Sequence, residues 1–179
     1  MNHSLSIVDI ARKRAKNHPS RLYLRFLPGG RSVDVQECSY ACLDRMAQGV
    51  ARRLHRMGLD KGDRVFTILP NSIEFVQVFY GCLYGGVLPV PCAEPSSPAA
   101  MKTYFMDLLP KLKQCEPKAV VITKTLANFI EMKLPRELRE RFSEIKIITD
   151  SELLSDDEEL SFSSDEVAIR KDDVAYLQF

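Results

Sequence analysis

Apolar side chains recur along the N-terminal third of the chain with the spacing of amphipathic helices. Between Ser39 and Gly58 they line one helical face, with Ser39 placed to cap the start and Gly58 to end the helix. The residues with this spacing are Leu43, Met46, Ala47, Val50, Ala51, Leu54 and Met57. A shorter stripe predicts a helix over residues 4–17, ended before Pro19. Two amphipathic helices are therefore expected here.

The stretch between these helices has the pattern of a hairpin. RLYLRF and RSVDVQE flank LPGG, in which Gly29 and Gly30 permit a tight reversal. Residues 22–26 and 32–36 are therefore predicted to pair as antiparallel strands.

From residue 64 onward, short apolar strands alternate with helical patterns. The strands are DRVFTIL, VLPVP, KAVVIT and EIKIIT, and helices are expected at about 72–84, 101–115 and 126–142. Short, continuously apolar strands between helices are typical of a parallel sheet covered on both faces. The predicted fold class is α/β: a mainly parallel sheet of βαβ units flanked by helices, with an N-terminal antiparallel β-hairpin.

Several of these helix boundaries have specific signals. Asn71 and Glu74 have the spacing of an N-cap and its third helical residue, and Gly85–Gly86 ends that helix. Pro110 is expected to kink or split the next helix, and a further break is expected near Pro135.

The chain divides into three parts by composition. Residues 1–150 form the predicted α/β N-terminal subdomain, and residues 151–173 an acidic, serine-rich surface connection. Residues 174–179, within DDVAYLQF, are predicted to begin a strand. Such a strand is either the last edge of the sheet or the start of structure that continues beyond it, and in the second case we expect an exposed apolar face beside it.

Charge and composition exclude some functions. The net charge is +1 and 45% of residues are hydrophobic, which is ordinary for a globular protein and indicates no nucleic-acid partner. The basic residues of positions 1–64 are spread along amphipathic helices, which favours a solvated face over a binding patch. Glycines and prolines break the most apolar stretch, residues 75–93, so no membrane span is expected. Five cysteines without a C-x-x-C pair favour a reducing cytoplasm.

The familiar catalytic patterns are missing from the sequence. It contains no G-x-G-x-x-G, no G-x-x-x-x-G-K-[ST] and no G-x-S-x-G. His3, His18 and His55 are scattered, which makes a zinc site an unsupported hypothesis. Cys42 lies one turn into an amphipathic helix, where packing explains it better than nucleophilic catalysis. No catalytic and no metal-binding residue is assigned.

A longer stretch resembles a known family. GDRVFTILPNSIEFVQVFYGCLYGGVLPVP, residues 62–91, resembles the early part of adenylate-forming enzymes: acyl-CoA synthetases, peptide-synthetase adenylation domains and fatty acyl-AMP ligases. SYACLDRMAQGVARRLHRMGLDKGDRV and CEPKAVVIT are similar to the family's flanking segments. DDVAYLQF resembles the lead-in to its Thr/Ser/Gly-rich phosphate loop, which begins with the next residue.

The resemblance implies part of the large domain of the adenylate-forming fold, roughly its first third. GCLYGGVLPVP and AYLQF are most similar to fatty acyl-AMP ligases, whereas CAEPSSP departs from the Tyr-Pro-Pro-like stretch common in them. An acyl-CoA ligase and a peptide-synthetase adenylation domain remain alternatives.

The resemblance also implies substrates and partners. A complete enzyme would use ATP, Mg²⁺ and a fatty acid and pass the acyl group to an acyl carrier protein. None of the family's nucleotide-binding motifs maps onto residues 1–179, so this chain alone is expected to be inactive and to hold no cofactor. Gln178 and Phe179 only adjoin the expected phosphate loop, and a role as core strand residues explains them more simply.

Two readings from other classes stay open. One is a non-enzymatic α/β module that binds a protein partner through its basic N-terminal helices. The other is a small flavodoxin-like nucleotide-binding domain that uses helix N-termini where its sheet changes direction.

Overall fold

The computed structural model describes residues 5–30, 34–143, 145–155 and 167–179. Its helices are α1 (Ile7–Asn17), α2 (Tyr40–Arg56), α3 (Ile73–Gly85), α4 (Met101–Cys115), α5 (Lys124–Met132), α6 (Arg136–Phe142) and α7 (Asp150–Leu154). Its strands are β1 (Leu22–Phe26), β2 (Gln36–Ser39), β3 (Arg64–Ile68), β4 (Leu88–Pro91), β5 (Ala119–Ile122) and β6 (Lys146–Thr149). Within these residues no helix is both long and apolar enough to cross a membrane.

Four strands form one parallel sheet in the order β4-β3-β5-β6. Val65 in β3 lies between Pro89 of β4 and Ala119 of β5, and Ala119 pairs in turn with Lys146 of β6. The parallel sheet predicted from the alternation of strands and helices is therefore confirmed.

Helices cover both faces of this sheet. Val65 and Leu69 at β3 face the core formed with α2 and α3, whereas Phe66 and Ile68 face the core formed with α4, α5 and α6. Because successive side chains of a strand point to opposite faces of the sheet, β3 contributes one apolar surface to each of the two helical layers. This explains why the strands read as continuously apolar.

The N-terminal hairpin forms, but with a shifted second strand. β1 pairs antiparallel with β2, and Phe26 lies opposite Gln36. The strand predicted at residues 32–36 is therefore wrong in its bounds, because pairing begins only at Gln36. A short 3₁₀ turn at Pro28–Gly30 and a positive φ of 63° at Asp34 take up the intervening chain. Residues 31–33 lie outside the described part.

Two predicted helix starts are also corrected. α1 begins at Ile7, not at residue 4, because Ser6 and Asp9 form a reciprocal capping box. α3 is capped by Ser72 and not by Asn71: the Ser72 hydroxyl accepts a 3.2 Å hydrogen bond from the Phe75 amide. The predicted α2 cap at Ser39 and the α3 stop at Gly86, which has a φ of 70°, are confirmed.

Pro110 does not split its helix. α4 runs without a break from Met101 to Cys115, so of the predicted kink or split the split is wrong. Leu108 and Leu112 on either side of Pro110 are buried in the same core, which holds the helix together across the missing hydrogen bond. The break near Pro135 is confirmed, since α5 and α6 are separate helices on either side of it.

The C-terminal part of the chain differs from its predicted structure. Residues 174–179 have no strand assignment, because a single backbone hydrogen bond, from Leu177 N to Pro89 O at 3.1 Å, is no repeating ladder. The start of the predicted acidic connection is helical, with Leu153 of α7 fully buried. Residues 156–166 of that connection lie outside the described part.

Apolar side chains at the C-terminal end are exposed. Val174 is 59% exposed, Tyr176 48% and Phe179 54%. An exposed apolar surface beside residues 174–179 agrees with the expectation from the sequence.

Candidate functional site

The order of the strands creates a topological switch point at the carboxyl edge of the sheet. From β3 the chain passes to β4 on one side, then crosses to β5 on the other side of β3. The segment after β3 therefore leads to β4 on one side of the sheet, and the segment after β5 leads to β6 on the other side. In doubly wound sheets, ligands bind outside the carboxyl ends of the strands at such a point.

Two helices, α3 and α5, begin at this edge, and each is capped by the side chain of its N-cap residue. Ser72 caps α3, and the Thr123 hydroxyl accepts a 3.4 Å hydrogen bond from the Leu126 amide at the start of α5. The hypothesis of a flavodoxin-like nucleotide-binding domain requires helix N-termini at this carboxyl edge. The cap side chains accept hydrogen bonds from some of the free backbone amides of the first helical turn. The remaining amides give each N-terminus a weakly positive potential.

Acidic and phenolic groups border the same edge. Cys92 and Glu94 follow β4, and both raise the pKa of the Tyr104 hydroxyl, although burial is the larger cause. The pKa of Glu94 is itself raised, first by burial and then by the negative charge of Asp150, which follows β6. The carboxyl edge thus carries mutually repelling carboxyl groups.

These groups do not amount to a metal site. Across residues 5–30, 34–143, 145–155 and 167–179, no group of three His, Cys, Asp or Glu side chains is arranged to hold a metal ion.

Residues 167–179, called here the C-terminal segment, are anchored at the opposite edge. Lys61, just before β3, donates to Asp173 Oδ2 at 2.6 Å and to the Ala168 carbonyl oxygen at 2.7 Å. The Arg170 amide donates to the same Asp173 oxygen at 2.7 Å. The hydrogen bond from Lys61 and the one from Arg170 lower the pKa of Asp173.

From this anchor the segment runs beside β4 toward the carboxyl edge. The Tyr176 ring lies 5.8 Å from that of Phe79 in α3, whereas Leu177 packs into the core on the α4 side. The Phe179 ring is 6.1 Å from that of Phe66, and Lys111 Nζ lies 5.8 Å from its centroid. Alternate residues thus face opposite layers, as in a strand.

Gln178 and Phe179 are the two residues that the sequence placed next to a phosphate loop. Both are exposed, and the direction of the segment places them toward the carboxyl edge. Their role beside a phosphate loop stays a prediction. Sequence reasoning missed the Lys61–Asp173 pair, because the two residues are 112 positions apart and no local pattern links them.

Comparison with known families and proteins gives a consistent result. The sequence model of the AMP-binding enzyme family matches residues 11–179. The medium-chain-fatty-acid–[acyl-carrier-protein] ligase JamA of Moorena producens is 29% identical over 177 residues, which are 97% of this chain and 28% of that protein. The long-chain-fatty-acid–AMP ligase FadD32 of Mycolicibacterium smegmatis is 30% identical over 125 residues, 69% of this chain and 19% of that protein.

A solved structure has the same fold. The fatty acyl-adenylate ligase from Legionella pneumophila, in complex with acyl adenylate and pyrophosphate, superposes with a TM-score of 0.71 at 23% identity. The match covers 97% of this chain and 27% of that one. The chain thus spans less than a third of the length of each of these three proteins. Since the family model extends over nearly the whole sequence, the chain belongs to the AMP-binding enzyme family.

Proposed function

We propose that this chain is the N-terminal part of an ATP-dependent fatty acyl-AMP ligase. In this reaction a fatty-acid carboxylate attacks the α-phosphate of ATP, forming acyl-AMP and releasing pyrophosphate. The thiol of an acyl carrier protein then takes the acyl group and releases AMP. Mg²⁺ would neutralise phosphate charge in the complete enzyme. The observation that carries the proposal is the family match over residues 11–179.

The geometry supports a positioning role for this part of the enzyme. The Lys61–Asp173 ion pair holds the start of the C-terminal segment, and the Leu177 amide bonded to Pro89 O keeps it beside β4. A segment held at two points delivers the following residues to the carboxyl edge in a defined direction. Such preorganisation is what nucleotidyl transfer requires of its scaffold.

Partners and location form part of the same proposal. The similarity to JamA, named as an acyl-carrier-protein ligase, supports a carrier protein as the acceptor. The five cysteines form no disulfide bonds with one another, which supports the cytoplasm as the location of the protein. An acyl-CoA ligase is the alternative within the family.

The activity test compares the 179-residue chain with the longer protein that contains it. We expect the longer protein to convert a medium- or long-chain fatty acid and Mg-ATP into acyl-AMP and pyrophosphate, whereas residues 1–179 alone neither bind ATP measurably nor form acyl-AMP. Pyrophosphate release and mass spectrometry of the products measure both. Acyl-AMP made by residues 1–179 would show that a complete active site lies within them.

The acceptor test adds coenzyme A or acyl carrier protein to the preformed adenylate. We expect the carrier protein to consume the adenylate and coenzyme A to give little thioester. Efficient acyl-CoA formation would instead place the protein among the CoA ligases.

A further inference from the structure

A concave site lies at the amino edge of the sheet, between α1 and the C-terminal segment. Its volume is about 370 Å³, within the range of roughly 300 to 1,000 Å³ that small-molecule sites occupy. Gly62, Gly86 and Leu88 lie along its floor near the starts of β3 and β4. With strands rising about 3.3 Å per residue, this cleft lies on the order of 15 Å from the carboxyl edge.

The walls of this amino-edge cleft are apolar. Leu5, Ile7 and Val8 contribute from the α1 side, and Ile169, Val174 and Ala175 from the C-terminal segment. Leu5 is 46% exposed and Ile7 45%, so apolar surface continues to the mouth. A hydrocarbon chain would remove this surface from water, which is the main source of affinity for apolar ligands.

The polar groups of the floor are already engaged. Four backbone amides, those of Gly62, Gly86, Val87 and Leu88, donate to backbone oxygens at 2.8–3.1 Å. The amide and hydroxyl of Ser6 both donate to Asp9 Oδ2, at 2.9 and 2.7 Å. A polar group inserted here would lose its hydration without gaining these partners, so the buried part of a ligand must be apolar.

The charges that line the cleft favour an anionic head group. Lys61 and Asp173 neutralise each other at 2.6 Å. Arg170 and Lys171 are the other charged residues of the lining, and both are exposed. The four side chains therefore carry a net charge of +2, complementary to a carboxylate held in water at the mouth.

From this combination we infer that the amino-edge cleft binds a single-chain anionic amphiphile with a carboxylate head. The hydrocarbon chain lies along the apolar walls, and the carboxylate faces Arg170 and Lys171. The site is separate from the carboxyl edge, where the nucleotide chemistry of the proposed function belongs. The inference does not rest on that function, since binding requires neither ATP nor adenylate formation.

A chain-length series tests the apolar part of the site. Hexanoate, octanoate and decanoate are titrated into the 179-residue protein by calorimetry, below their micelle concentrations and without ATP. We expect binding of one molecule, tightening about fourfold per added methylene until the cleft is filled. Absence of binding, or many weak sites without saturation, would overturn the inference.

Two matched variants locate the site. Val174→Glu places a carboxylate in the lining and should weaken decanoate binding at least tenfold. Tyr176→Glu adds the same charge two residues further along, outside the lining, and should leave the affinity unchanged. Both positions are exposed, so both variants should keep the wild-type circular dichroism and melting temperature. Equal loss of binding in the two variants would contradict this location.

A charge-reversal variant tests the contribution of the carboxylate head group. Lys171→Glu should weaken decanoate binding several-fold and leave binding of uncharged decanol unchanged. The reason is that only the carboxylate interacts with the positive charge at the mouth of the cleft. Binding to phosphatidylglycerol vesicles without binding of monomeric decanoate would overturn the inference in favour of a membrane-surface site.

Discussion

Arg53 shows how one buried charge joins distant parts of the chain. It is 8% exposed, and its guanidinium donates to the carbonyl oxygens of Leu153, at 3.0 Å, and Ser155. Leu153 lies in the last turn of α7, where backbone carbonyls have no helical amide to accept from. A cation at the C-terminal end of a helix also interacts favourably with its dipole.

We predict that Arg53→Met destabilises the protein by about 1–3 kcal/mol, because it leaves the buried Leu153 carbonyl without its hydrogen-bond donor while keeping the apolar stem. Urea unfolding measures the change. Arg45→Met is the matched control, since Arg45 lies on the same helix but is exposed, and its effect should stay within about 0.5 kcal/mol. Equal effects of the two variants would contradict the role given to Arg53.

Asp63 contributes stability that depends on pH. Burial alone would raise its pKa, but hydrogen bonds from the Asp60 amide and from Lys118, both at 2.6 Å, together hold that pKa below its ordinary value. The folded state therefore favours the charged carboxylate. This contribution is present above the ordinary aspartate pKa of about 3.9 and is lost as pH falls through the lower folded value.

We accordingly predict that Asp63→Asn destabilises the protein at pH 7, and that its difference from wild type shrinks as pH falls below about 4. Urea unfolding at several pH values measures this. A difference that stays constant down to the acid unfolding limit would show that the charge of Asp63 is not responsible.

At the scale of elements, α2 and α3 approach closely at a glycine. A Cβ at Gly81 of α3 would lie 2.2 Å from Cγ1 of Val50 in α2. Real Cβ atoms do not tolerate such a distance, so alanine would force the two helices apart. At Gly85, one turn further along α3, the nearest atom would be 3.3 Å away.

We predict that Gly81→Ala destabilises the protein by about 1–3 kcal/mol through overpacking. Gly85→Ala, the control in the same helix, should cost less than 1 kcal/mol, since its neighbour is the end of the His55 side chain. Thermal unfolding compares them. Adding Val50→Ala to Gly81→Ala should recover part of the loss, and strictly additive effects would contradict direct contact.

At the scale of the whole molecule, the apolar surface around the C-terminal segment has a consequence for association. Tyr176, on the α3 side of the segment, is 48% exposed, and Phe179, on the α4 side, is 54% exposed. Exposed apolar patches of this kind promote association. The 179-residue chain is therefore expected to self-associate at high concentration.

We predict that the double variant Tyr176→Ser, Phe179→Ser shifts this association to higher concentration, as measured by sedimentation velocity. The control replaces Leu27 and Met132, which are exposed elsewhere, by serine. Sedimentation of the wild-type chain as a monomer over the whole concentration range, or an equal shift in the control, would contradict the prediction.

The sequence alone predicted helices at the positions of α1 to α6, the parallel sheet and the family resemblance, but not α7. The stripe and caps of α2, the strand at Ala119–Ile122 and the helix stop at Gly86 all depend on periodicity or on neighbouring residues. Such signals are local, because hydrophobic spacing and backbone preference act within one or two turns. They could therefore be read without the fold.

The tertiary structure decided the features that join distant residues. Examples are the start of β2 at Gln36, the 100-residue span from Arg53 to Leu153, and the pairing of Lys61 with Asp173. The cleft at the amino edge likewise requires α1 and the C-terminal segment to meet. No periodic pattern in the sequence marks such contacts, since each depends on how whole helices and strands pack. The free energy of that packing is shared among residues far apart in the chain.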